Sequence, residues 1–72
     1  MVKKNNNNNN KIHENRWYRL GGSIRYLHGY GDLGVVYSTK TQYKNGKKTY
    51  SMSIDEIEWF KKARELKNYK VS

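Results

Sequence analysis

The chain has 72 residues, room for one small domain, and sets 15 Lys+Arg against 6 Asp+Glu for a formal net charge of +9 with both histidines neutral. It has neither cysteine nor proline, which excludes disulfides, thiolate metal sites and a cysteine nucleophile. Apolar runs are two or three residues long, against the roughly 20 of a membrane helix, and Lys3-Lys4 lead into asparagine, so neither a membrane span nor a signal peptide is expected.

Residues 1–12, with six consecutive asparagines and Lys3, Lys4 and Lys11, read as a disordered basic arm, because asparagine offers no apolar surface to offset the entropy of ordering. The same asparagine and lysine excess, with a single alanine, points to an A/T-rich genome such as that of a low-GC bacterium, its phage, a mobile element or a protist. Codon bias alone can raise lysine content, so it is the placement of the cations, not their number, that bears on binding.

Residues 13–68 read as a single domain and residues 69–72 as a frayed end. Arg16–Leu20 is aromatic and suits a strand. Gly21-Gly22 is a two-residue hairpin turn, and Ser23–His28 alternates, with Ile24, Tyr26 and His28 on one face. Gly29–Gly34 matches G-x-G-x-x-G, but a nucleotide fingerprint must open a helix, and here a β pattern follows. These glycines therefore read as a turn between strands.

From Leu33 to Tyr43 the residues alternate at period two, and Asn45-Gly46 is the strongest short hairpin signal in the chain. Folding about that turn pairs Gln42 with Thr49 and Thr39 with Met52. One resulting face holds Tyr37, Thr39, Thr41, Tyr43, Tyr50 and Met52, plus the stem of Lys48. The other holds Lys40, Gln42, Lys44, Lys47, Thr49 and Ser51. The first is expected to be core, the second a cationic surface.

Residues 54–67 read as a helix. Ser53 and Glu56 form a capping box, Met52 and Ile57 a staple, and Glu58–Lys62 an i,i+4 pair. Ile57, Trp59, Phe60, Ala63 and Leu66 share the apolar face expected to cover the hairpin. The expected fold is α+β: a small antiparallel sheet of three or four strands with one C-terminal helix packed on one face. An SH3-like barrel with a C-terminal helix, similar to the archaeal seven-kilodalton chromatin proteins, is the alternative.

No spacing picks out an acid, base and nucleophile, and His13 and His28 alone complete no zinc site, so neither enzymatic activity nor a cofactor is expected. The charge is uneven. Residues 1–20 and 21–53 carry +4 each, whereas residues 54–72 carry +1. Lysines on a polar sheet face suit phosphate contact, and they equally suit a solvated face that guards an edge strand.

Gly22–Tyr26, Val35–Tyr37, Tyr43–Lys48 and the helix from Ser53 with Ile57, Phe60 and Ala63 inward resemble two groups of sheet-plus-helix DNA-binding domains. These are the N-terminal arm-binding domain of tyrosine-recombinase integrases and the plant ethylene-response-factor type domain. The resemblance spans about residues 22–66. It departs from the pattern in the added strand at Arg16–Leu20, in the long Gly29–Gly34 turn and in the lack of any recombinase catalytic part. It implies a sheet lying in the major groove, with Arg25, Lys40, Gln42, Lys44, Lys47 and Thr49 at the nucleic acid. Duplex DNA is the expected partner, with RNA the alternative, in the cytoplasm or, in a eukaryote, the nucleus. A non-enzymatic modulator that binds a host protein is the second functional class.

Overall fold

A computed structural model describes residues 12–71. Five strands and two helices follow one another as β1 (Arg16–Leu20), β2 (Ser23–Gly31), β3 (Gly34–Thr39), α1 (Lys40–Lys44), β4 (Thr49–Ser51), α2 (Ile54–Lys62) and β5 (Arg64–Leu66). The strands form one antiparallel sheet in the order β4-β3-β2-β1-β5. The α+β class and the antiparallel sheet are as expected from sequence. The sheet has five strands rather than three or four, and there are two helices rather than one.

The Gly21-Gly22 turn closes β1 on β2, with Leu20 opposite Ser23 and Gly21 at a φ of 62°, the left-handed conformation such a turn requires. Gly29–Gly31, expected to be turn, instead continue β2 in ladder pairs out to Gly31 opposite Gly34, so Asp32-Leu33 alone joins β2 to β3, and a strand follows, not a helix. The register shifts at His28, between the Leu27–Tyr37 and Gly29–Val36 pairs. Gly34 is dictated by packing: a Cβ there would lie 2.3 Å from the Ser51 carbonyl oxygen of β4.

The expected hairpin about Asn45-Gly46 does not form. The chain leaves the sheet at Thr39 and makes one short helix before returning as β4. The register there sets Tyr37 opposite Thr49 and Val36 opposite Tyr50. The reason is local. Thr39 and Gln42 form a complete capping box, Thr39 Oγ1 accepting from the Gln42 N–H and Gln42 Oε1 from the Thr39 N–H. Asn45 then caps the helix and Gly46, at φ 70°, ends it. Asparagine-glycine serves a helix stop as readily as a hairpin, since both need a residue that tolerates positive φ.

The second helix is shorter than the expected 54–67. Ala63 caps it in an extended conformation, and Arg64–Leu66 pairs with β1. Arg-Glu-Leu favours helix by propensity, but the free edge of β1 offers a ladder to that segment, and tertiary pairing overrides a weak local preference. Ser53 caps α2 through the Asp55 N–H, while Glu56 reaches Arg25 and Glu58 pairs with Lys61 rather than Lys62.

Alternation along the strands separates two faces. On one, Tyr18, Leu27, Val35 and Tyr37 form the buried core with Phe60 of α2, and Ile12, Tyr30, Ile57, Trp59 and Ala63 pack against it. Ile12, assigned to the arm by sequence, is thus part of the fold; the rest of the arm lies outside the described residues. The other face carries a second aromatic group, in which Trp17 packs on Tyr26, Tyr43 and Tyr69 with ring centroids 5.0–5.1 Å apart. Tyr69, expected in the frayed end, belongs to this group. Of the six residues expected to line the hairpin's core face, only Tyr37 is buried, and Tyr50 and Met52 are 63% and 66% exposed.

Candidate nucleic-acid interface

The segment from Lys40 to Lys48 contains four lysines and no carboxylate. Its position is set by Tyr43, the apolar anchor of α1, which packs on Trp17 at 5.0 Å and Tyr26 at 4.9 Å and lies stacked over His28 at 6.4 Å. A polar tie holds the return of the chain: Ser38, fully buried, donates its hydroxyl hydrogen to the Lys47 carbonyl. Ser38 must then accept from His28, whose Nε2 lies 2.7 Å from its Oγ, so His28 carries hydrogen on Nε2. Burial, with help from the charge of Lys48, pushes the His28 pKa down and favours the neutral ring. This direction of hydrogen bonding fits a structural tie, not a histidine base drawing a proton from serine.

With α1 anchored in this way, Lys40, Lys44, Lys47 and Lys48 are exposed, and none has an ion-pair partner among the described residues. Two of the three described ion pairs involve arginines, Arg16 with Glu65 and Arg25 with Glu56, and the third joins Lys61 and Glu58. The lysines of α1 and its following loop are thus left as a run of uncompensated positive charge.

The six site positions expected from sequence do not share a sheet face. Lys40, Gln42 and Lys44 lie in α1, Lys47 in the loop after it, Thr49 at the start of β4 and Arg25 in β2. The side chain of Gln42 is engaged at both ends: its Nε2 donates to Thr49 Oγ1 at 2.8 Å, and its Oε1 accepts from the Thr39 N–H at 3.0 Å. These bonds fix the amide against its own fold, so Gln42 and Thr49 hold α1 to β4. Arg25 shares a face with Tyr18 and Tyr37, paired with Glu56 and lying 4.6 Å from the Tyr37 ring centroid and 4.5 Å from that of Trp59. It is a packing residue, on the opposite face of the sheet from Trp17 and Tyr26, on which Tyr43 of α1 packs. Alternation puts the stem of Lys48 on the core face, yet Lys48 is exposed beside Lys47. The signal that would have found it is Thr39-Lys40-Thr41-Gln42, a capping box that breaks the alternation.

Among the described residues, no three His, Asp or Glu side chains come together in a way that could hold a metal ion, and no helix is long and apolar enough to cross a membrane. Comparison with family models, curated proteins and solved structures finds no match for this chain.

Proposed function

We propose that the protein binds nucleic acid by its phosphate backbone, with Lys40, Lys44, Lys47 and Lys48 as the contacting cations and duplex DNA as the favoured partner. The observation that carries this reading is the isolation of those four charges: they are exposed, free of ion pairs among the described residues, and set on one short anchored segment. Each neutralised phosphate releases condensed counterions, and this drives binding without any base contact. With Gln42, Thr49 and Arg25 occupied internally, the reading is of backbone binding with little sequence preference. It takes α2 as the element that closes the Tyr18 face, so that contact falls to α1 rather than to an open sheet. It calls for no cofactor and no catalytic group, and it places the protein where nucleic acid is, in the cytoplasm or nucleus.

A second reading has its own observation. Leu33, Tyr50, Met52 and Ile54 are exposed at or beside the edge strand β4, and apolar side chains gathered in this way suit a protein partner.

Salt separates the two. Binding of the parent to labelled duplex DNA, single-stranded DNA and RNA should weaken steeply between roughly 50 and 200 mM salt. Replacing Lys40, Lys44, Lys47 and Lys48 together by serine, with folding checked by circular dichroism, should reduce the slope by about four units. If the parent binds none of these at low salt, or the folded variant binds as the parent does, the lysines are only a solvated surface. The protein-partner reading then takes over.

A further inference from the structure

The pairing of β5 with β1 creates a charge arrangement that folding alone does not call for. Its register sets Arg64 directly opposite Arg19. Residues so placed on antiparallel strands have Cβ atoms about 5 Å apart, and like charges there repel. Both arginines lie on the face that carries Trp17, two residues before Arg19. Lys62, the last residue of α2, joins them. The three cations, with Leu20 and Gly21, line an open pocket of about 320 Å³ that has no carboxylate in its wall. The nearby acids are engaged elsewhere: Glu65 holds Arg16 at 2.8 Å, and Glu58 holds Lys61 at 3.6 Å, which leaves Lys62 to the pocket.

We infer that Arg19, Lys62 and Arg64 form a phosphate-binding site, and that the phosphate belongs to the nucleic-acid backbone. Two guanidinium groups held side by side present paired N–H donors to one tetrahedral oxyanion, and the anion removes the repulsion between them. The choice of source rests on the proposed function; the site itself does not. Geometry supports that source. Arg19 pairs with Ile24, one row beyond the row formed by Tyr18, Arg25 and Thr39, and Lys40 follows Thr39 directly. The arginine pair and the start of α1 therefore lie at the same end of the sheet. Two strand spacings separate β1 from β3 and three separate β5 from it, about 10 and 14 Å, on either side of the roughly 12 Å width of a major groove. One duplex can thus meet both groups of cations, with phosphates of its two strands.

The test uses the full chain, the Arg19→Gln/Arg64→Gln variant and the four-lysine variant. In a titration with inorganic pyrophosphate, the guanidinium N–H resonances of Arg19 and Arg64 should shift saturably in the parent and in the four-lysine variant. The double arginine variant should lose the pyrophosphate-induced rise in melting temperature that the parent shows. Arg64→Gln alone gives the same readout should the double variant fail to fold. No saturable shift at either arginine overturns the site. With duplex DNA, the folded double variant should show a salt slope lower than the parent's by about two units. An unchanged slope, with pyrophosphate still bound by the parent, overturns the backbone as source and assigns the site to a free phosphorylated compound. Pyrophosphate binding by a parent that ignores duplex DNA, single-stranded DNA and RNA upholds the site while the proposed function fails.

Discussion

Glu56 reaches across from α2 to the guanidinium of Arg25 on β2, instead of back to the start of its own helix. The two are 31 positions apart in sequence, and both side chains are only partly exposed. The arginine plane also lies against Tyr37 and Trp59, so one side chain joins the sheet, the helix and two aromatic rings. A cation in contact with two rings and one carboxylate is worth more than a surface ion pair, because water screens it less.

Arg25→Ala should therefore destabilise the fold by about 1–3 kcal/mol, through the lost ring contacts and a half-buried Glu56 left without its partner. Arg25→Lys should recover only part of this, since an ammonium lacks the flat guanidinium surface. Urea denaturation followed by tryptophan fluorescence measures both. The affinity of the folded Arg25→Ala protein for duplex DNA should match the parent's; a selective loss of affinity would return Arg25 to the interface.

Gly34→Ala should displace β4. Its Cβ would meet the backbone oxygen of Ser51 at 2.3 Å, and backbone cannot swing aside as a side chain can. Overpacking of this kind costs about 1–3 kcal/mol. Hydrogen exchange should show the loss of protection concentrated on the β3–β4 pairs, Val35–Ser51 to Tyr37–Thr49, with β1 and β2 little changed. Equal protection throughout would show that β4 accommodates the methyl group.

Stability should fall as pH drops below neutrality, with His28 as the cause. Burial lowers its pKa in the folded protein beneath the ordinary value of 6.5. The unfolded chain then binds a proton that the folded chain resists, so stability is complete above about 6.5 and declines as pH falls from there toward the folded value. His28→Gln should flatten this part of the profile. Thermal melts of parent and variant between about pH 7 and pH 5 make the comparison. A parent profile flat over that interval would rule out a half-buried ring held neutral.

Much of the first half of the fold was legible in the chain, because its signals are short-range. Aromatic alternation and Gly21-Gly22 are enough for the β1–β2 hairpin, since neighbouring segments joined by a two-residue turn have nowhere else to pair. The G-x-G-x-x-G stretch reads correctly as β rather than a nucleotide loop, but its turn is only Asp32-Leu33, because Gly29 and Gly31 pair within the ladder to β3. At Thr39 two local signals compete. Period-two alternation continues through Tyr43, while the capping box from Thr39 to Gln42 starts a helix, and the alternation is the one that misleads. With that choice went the assignment of Lys40, Gln42, Lys44 and Thr49 to a shared face, because a turn of helix rotates each side chain by about 100° where a strand flips it by 180°.

The sequence by itself determined that this is one small, strongly basic α+β chain without cysteine, with its excess charge ahead of residue 54 and a helix that starts after Ser53. Only the tertiary structure decided that Arg64–Leu66 is a strand, that Arg25 belongs to Glu56 and the rings, and that Arg19 faces Arg64. Each of these is a pairing between distant segments. Its energy depends on an edge left open or a carboxylate left unmatched elsewhere in the fold, and no local pattern of residues records what the other end of the chain leaves unsatisfied.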